Sequence, residues 1–312
     1  MQNIAILMGG TSKEREISLQ SARTINKYID KKKYAAFMVL CINDNEFQVI
    51  INSKNFLVDT SNFSFQLNNK RVVFHKVFMM IHGDPGENGK LSKYFDTKKI
   101  PYTCSSQSAS KLTFDKFNCN KYLQSLGYHV PSAKIYNSKI KLNYPCIVKP
   151  SCGGSSFGVS KIYNAKELPD ALEKAKEHDN DIIIEEFIEG REITCAAYKS
   201  HSQIVCLPLT EIISQNDIFD YEAKYNGKSI EKTPAEIPNV TKNKIIAISK
   251  NLYKDLNLKG IIRVDFIVKS QKPYIIEVNT VPGFSEKSIV PQMLKCANIN
   301  ITDFITQQIE SI

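Results

Sequence analysis

The chain has 312 residues, 42% of them hydrophobic and 23% charged, with 41 Lys and Arg against 32 Asp and Glu for a net charge of +9. These are the proportions of an ordinary globular protein of two or three domains, and they exclude a disordered tail, a collagen-like chain and a coiled-coil rod. The basic residues are dispersed, the densest cluster being Lys31-Lys32-Lys33, so charge alone does not separate a nucleic-acid partner from a small polyanion such as ATP.

In chain order, residues 3–8 form a continuous apolar run ending at Gly9-Gly10, the pattern of a buried strand. Thr11-Ser12-Lys13-Glu14 reads as a capping box that opens a helix, with Thr11 as N-cap and Glu14 reaching back to it. Residues 34–42 and 76–81 read as further buried strands, giving an open α/β unit over about the first hundred residues. A polar stretch at 105–110, a helix at 116–126, a strand at 145–149, a Gly/Ser-rich turn at 151–158, a polar helix at 165–178 and a strand at 182–187 follow. Past Gly190 the pattern is strand-rich, with two alternating strands at 261–268 and 274–280 joined by a short polar turn containing Pro273. Pro282-Gly283 breaks this pattern before a last pair of helices. No apolar run approaches the roughly 18 residues of a membrane helix, and Met1-Gln2-Asn3 lacks the positive start of a secretory signal, so a cytoplasmic protein is expected. The eight cysteines are scattered with no C-x-x-C pair, as reduced thiols would be.

Two constellations carry chemistry. A turn centred on Gln271 places Asp265 opposite Glu277 and Arg263 opposite Asn279, all on one face because side chains alternate along a strand. Facing carboxylates repel unless a positive group lies between them. They therefore imply either a hard divalent cation held by oxygen ligands or a polar sheet face with an Arg–carboxylate pair. The loop Lys149-Pro150-Ser151-Cys152-Gly153-Gly154-Ser155-Ser156-Phe157-Gly158 follows a strand and either presents backbone N–H groups and the Lys149 ammonium to phosphate or is a plain turn. It is not a Walker A loop, and Gly9-Gly10 is not a dinucleotide fingerprint. Other positions stay open: Glu14 completes a capping box or serves a site, His82 is structural or lies at a strand-end ligand site, and Ser288 is an N-cap or receives a carboxylate. Tyr221, Lys224 and Tyr225 belong to a lid or to a helix face.

Taken in order, these segments stop being independent. Gly9 through Ser18, His82-Gly83 with Gly86-Glu87-Asn88-Gly89, Asp115-Lys116, residues 154–158, Tyr221 through Tyr225, Arg263-Val264-Asp265, Glu277 through Thr280, Pro282-Gly283 and Ser288 together resemble the D-alanine–D-alanine ligases of the ATP-grasp superfamily. The resemblance implies a three-part ATP-grasp fold, α/β and α+β: an N-terminal open α/β substrate domain (1–104), a central ATP-grasp subdomain (105–186) and a C-terminal ATP-grasp and metal-binding domain (187–312). It implies that ATP phosphorylates one D-alanine and that the amine of a second displaces the phosphate, for peptidoglycan precursors. Lys116, Lys149 and Ser156 would hold the phosphates, Glu185-Glu186-Phe187-Ile188 would flank adenine, and Glu192 would meet the ribose. Asp265, Glu277 and Asn279 would bind two Mg²⁺, with Mn²⁺ as an alternative. Arg263 would stabilise developing negative charge, and Glu14 would hold the first ammonium, with His82 nearby. Ser155 and Tyr225 would tie the lid, which carries Tyr221 and Lys224, to Glu14, while Gly283 and Ser288 would receive the second D-alanine. A homodimer with neither nucleic-acid nor membrane partner is expected. Asn88, Glu186 and Lys287 depart from the commonest family pattern, and Glu186 bears on adenine because a carboxylate cannot donate to a ring nitrogen. The rivals are a sister ligase using D-lactate or D-serine and a silent nucleotide-binding regulator.

Overall fold

The computed structural model describes residues 1–214 and 229–312, arranged around three sheets. In the first, β1 (Gln2–Gly9) lies between β2 (Tyr34–Asn43) and β7 (Lys76–Met79), parallel to both. Ile4, Ala5, Ile6 and Leu7 are fully buried, which is why this strand reads as a continuous apolar run rather than an alternating one. Helix α1 (Arg15–Tyr28) covers the sheet, with Ser18, Ser21, Ala22 and Ile25 on its buried face. Four strands that the sequence reading did not anticipate, β3 (Glu46–Ile51), β4 (Lys54–Asp59), β5 (Ser64–Leu67) and β6 (Lys70–Val73), extend the sheet as an antiparallel meander to seven strands. Phe47, Phe63 and Phe65 anchor this meander, with Phe47 and Phe63 edge-to-face at 5.5 Å.

The second sheet has the order β10-β9-β11-β8, from β8 (Ala133–Ile135), β9 (Cys146–Pro150), β10 (Ser160–Ile162) and β11 (Ile182–Glu186). The third contains β12 (Arg191–Ser200), β13 (Gln203–Cys206), β14 (Thr210–Ser214), β15 (Ser229–Lys232), β16 (Ile262–Lys269) and β17 (Lys272–Asn279). The expected strand-rich character past Gly190 is incomplete. A 17-residue helix, Asn239–Asp255, packs on β12, and its buried face alternates Thr241 and Ser249 with Ile245 and Leu252, which blurs the apolar period.

The β16–β17 hairpin pairs Arg263 with Asn279 and Asp265 with Glu277 as expected, although its turn is tighter than one centred on Gln271. The turn is Ser270-Gln271, with φ of 49° and 62°, and Pro273 lies inside β17 opposite Val268 rather than in the connection. A bulge next to the Asp265 pair leaves Ile276 unopposed, and this extra residue restores the pairing at the functional end. The described α-helices after α1 are α2 (Lys90–Lys98), α3 (Gln107–Phe114), α4 (Lys116–Ser125), α5 (Leu168–Lys176), the Asn239–Asp255 helix as α6, and a final pair, α7 (Ile289–Cys296) and α8 (Ile301–Glu310).

Candidate active site

The expected capping box does not form. Glu14 caps α1 without a side-chain bond; Thr11 Oγ1 donates instead to Asp84 Oδ2 at 3.0 Å, and Ser12 Oγ accepts the Glu14 N–H at 3.2 Å while donating to His82 O. With Ser12 taking the local hydrogen bond, the Glu14 carboxylate turns outward and accepts Ser155 Oγ at 2.5 Å across the cleft. Gly154 makes this approach feasible, because a Cβ there would lie 2.3 Å from Glu14 Oε2. Ser155 and Ser156 both hold a left-handed backbone, φ 50° and 57°, a conformation non-glycine residues adopt at local cost. The tip of this loop is pinned by Phe157, which stacks on His178 at 5.6 Å with the Lys13 ammonium over its ring.

Two cavities meet at the hairpin. The larger, of about 540 Å³, runs between the second and third sheets and is lined by Lys116, Lys149, Ser156, Glu185 through Ile188, Glu192, Asp265 and Glu277. The smaller, of about 470 Å³, lies between α1, the hairpin and the start of α7, with Glu14, His82, Ser155, Arg263, Asn279, Gly283 and Ser288 on its walls. Glu277 belongs to both. The expected site residues within the described segments thus fall into two adjoining groups; Tyr221, Lys224 and Tyr225 lie outside the described residues.

Charge compensation at the junction is dense. Arg263 grips Asp265 with two bonds of 2.8 Å, Thr194 Oγ1 donates to the same carboxylate at 2.7 Å, and Asn279 Nδ2 does so at 3.0 Å. Lys116 Nζ lies 2.8 Å from Glu277 and also donates to Gly153 O. Burial alone would lower the Lys116 ammonium, but the Glu277 carboxylate and its hydrogen bond carry it upward. Lys149 and Glu185, both almost wholly buried, pair at 2.6 Å. Asp265, Glu277 and Asn279 together present two carboxylates and a carboxamide on one strand face beside the larger cavity. Oxygen donors of this kind suit Mg²⁺ or Mn²⁺ rather than zinc, and among the described residues no group of three or more His, Cys, Asp or Glu side chains is placed to hold a metal ion by itself.

His82 is buried, with Nδ1 at 2.7 Å from Val281 O and Nε2 at 3.0 Å from Ser21 Oγ. The carbonyl can only accept, so Nδ1 carries the proton and Nε2 accepts from Ser21, whose oxygen also takes the Phe284 N–H at 3.0 Å. Burial pushes the imidazole below its ordinary value and keeps it neutral, in a role that ties α1 to the end of β17. Ser288 Oγ accepts the Ser285 N–H at 3.0 Å instead of capping α7 with its own side chain, so that hydroxyl stays at the cavity wall.

Glu87 and Thr194 escaped the sequence reading. Glu87 accepts N–H groups from Gly83 at 2.9 Å and Val281 at 3.1 Å, joining the first and third sheets; it sat inside the quoted Gly86-Glu87-Asn88-Gly89 stretch but had no assigned role. Thr194 gave no signal, since its link to Asp265 exists only once β12 pairs with β16.

Comparison with known proteins decides the affiliation. The D-ala D-ala ligase N-terminus model matches residues 3–105 and the D-ala D-ala ligase C-terminus model residues 122–310. The chain belongs to the D-alanine–D-alanine ligase family. Its relatives include the D-alanine–D-alanine ligase of Flavobacterium johnsoniae, 40% identical over 319 residues, and that of Phocaeicola vulgatus, 38% identical over 320, each alignment covering 99% of both chains. Among solved structures, the VanG D-Ala:D-Ser ligase from Enterococcus faecalis superposes with a TM-score of 0.86 at 28% identity, covering 99% of this chain and 98% of that one. The Bacillus anthracis D-alanine–D-alanine ligase complexed with ATP superposes at 0.78 with 26% identity, covering 99% and 97%. The fold is therefore that of the ATP-grasp ligases, as the sequence resemblance implied.

Proposed function

We propose that this chain joins two D-alanine molecules into D-alanyl-D-alanine, converting ATP to ADP and phosphate, in the synthesis of peptidoglycan precursors. The observation that carries the reading is the meeting of a nucleotide-sized cavity and a smaller polar cavity at Glu277, with Arg263 on the amino-acid side and Lys116 on the nucleotide side.

Lys116, Lys149 and Ser156 hold the ATP phosphates, Glu185 through Ile188 flank the adenine and Glu192 meets the ribose. Glu14, braced by Ser155, holds the ammonium of the first D-alanine and aims its carboxylate at the γ-phosphate. That carboxylate oxygen attacks phosphorus, the bond to the β-phosphate oxygen breaks, and an acyl phosphate results. The amine of the second D-alanine, its carboxylate received at Gly283 and Ser288, then attacks the acyl carbon. Arg263 stabilises the negative charge of the tetrahedral intermediate until phosphate departs. Asp265, Glu277 and Asn279 fit Mg²⁺, two ions by family resemblance, or Mn²⁺. When bound, such ions neutralise charge on the transferring phosphoryl group. Tyr221, Lys224 and Tyr225 belong in this scheme to the segment that closes over the acyl phosphate and excludes water.

The same reading includes division of the chain at 104 and 186, a homodimer and a cytoplasmic location. No described helix is long and apolar enough to cross a membrane. The decisive assay is phosphate release from ATP and Mg²⁺ with D-alanine and L-alanine side by side. Release with D-alanine alone is expected, and release with neither overturns the assignment. Adding D-serine or D-lactate and identifying the product separates the dipeptide ligase from its sister activities.

A further inference from the structure

Five carboxylates line the smaller cavity. Glu14 is engaged by Ser155, Glu16 by Arg23 and Gln20 on its own helix, Glu87 by two backbone N–H groups and Glu277 by Lys116. Glu231, on β15, accepts Gln292 Nε2 through Oε2 at 2.6 Å on the wall of this cavity, where the Arg263 guanidinium also acts on it. Gln292 stands one turn after Ser288 on α7, its N–H reaching Ser288 O, and one helical turn rises about 5.4 Å. The cavity wall therefore offers a hydroxyl at the start of α7 and a carboxylate held by a side chain one turn further along the same helix. Such a pair of groups suits the two charged ends of a small zwitterion.

We propose that Glu231, oriented by Gln292, receives the ammonium group of the second amino acid and so selects an amine over a hydroxyl as the incoming nucleophile. The inference rests on the ligase reading and deepens it. D-alanine brings two ammonium groups to this cavity per turnover, and Glu14 takes only one. A 2-hydroxy acid brings no positive charge, so a carboxylate at this point rewards the amine and gives the hydroxy acid no matching attraction. The site is partly desolvated, and burial raises the Glu231 carboxyl above its ordinary value. The Gln292 hydrogen bond and the Arg263 guanidinium offset that rise in part, and an ammonium brought close adds to their effect.

The test is the Glu231→Gln variant, which keeps a side chain of the same shape beside Gln292 while removing the charge. Initial rates over a wide range of D-alanine concentration at saturating ATP and Mg²⁺ separate the two amino-acid sites. The expected result is a KM for the second D-alanine raised about tenfold, with KM for ATP and for the first D-alanine unchanged. In mixtures of D-alanine and D-lactate the fraction of D-alanyl-D-lactate should rise by a similar factor. A Gln292→Leu variant, which keeps the charge but frees it, should raise the second KM less and leave the product ratio nearer wild type. If Glu231→Gln changes neither the second KM nor the product ratio while the wild type makes dipeptide, the role of Glu231 is refuted and the ligase reading stands. If both variants lower all constants alike and melt earlier, Glu231 merely fastens β15 to α7. A wild type that makes no D-alanyl-D-alanine overturns both.

Discussion

Burial raises the Glu87 carboxyl to about 8, with repulsion from Glu14 as the next cause. A carboxyl raised in this way holds its proton more tightly folded than unfolded. Its contribution to stability is full below the ordinary value of 4.5 and is lost as pH climbs through about 8. Glu87→Gln removes the ionisation, so its melting profile should be flatter, falling less than wild type as pH rises through about 8. Scanning calorimetry on both proteins checks this, and parallel profiles would contradict it. Thr194 acts through Asp265, orienting the carboxylate proposed to bind metal. Thr194→Val preserves the shape and should raise the Mg²⁺ concentration for half-maximal activity about 10–100-fold, the usual effect of losing a group that orients a metal ligand. Unchanged Mg²⁺ dependence would remove Asp265 from the metal set. Neither residue was legible by itself, because Glu87 acquires its shift, and Thr194 its partner, from segments distant in the chain.

At the scale of elements, β9 and β11 are joined by the Lys149–Glu185 pair inside the nucleotide cavity wall. Both partners are buried, so Lys149→Met alone strands a carboxylate and should destabilise by about 3–5 kcal/mol in urea titrations. Adding Glu185→Leu should recover much of that loss, since an apolar pair of similar volume is often neutral. If the double variant is no more stable than the single one, the pair's value lies in its hydrogen bonds rather than its charge. The hairpin turn offers the opposite lever. Ser270 and Gln271 both sit at positive φ, so Gln271→Gly should stabilise by about 0.5–1 kcal/mol and leave turnover unchanged, because the turn lies beyond the bulge from the carboxylates. A melting temperature equal to or below wild type would refute it. The hairpin was readable because strand alternation needs only local sequence. Its bulge was not, because it depends on how the two strands accommodate each other's twist.

For the whole molecule, the nucleotide cavity spans the second and third sheets, so ligand binding should stabilise both as one unit. ATP with Mg²⁺ at about a hundredfold excess over its dissociation constant should add ~2.7 kcal/mol to unfolding. A single, later melting transition is expected, and a split transition would mean that the nucleotide bridges only one of the two sheets. The antiparallel meander of β3 to β6 and the Asn239–Asp255 helix were the main architectural surprises. The meander's strands are short and half-exposed, and the helix buries hydroxyls among its aliphatic residues, so neither leaves a clean period in the sequence.

The sequence by itself determined the ligase family, the buried parallel strands of the first sheet and the facing pair of Asp265 and Glu277. The strands and the facing pair depend on residue type and spacing within a segment, and the family on the order of such segments along the chain, all of which the sequence itself carries. Tertiary structure decided that Glu14 abandons its capping box for Ser155, that His82 is a neutral tie between α1 and Val281, and that Glu87 and Glu231 stand in the amino-acid cavity. Those roles depend on which polar groups meet across sheets and on how much water is removed when they do, quantities that no single segment carries.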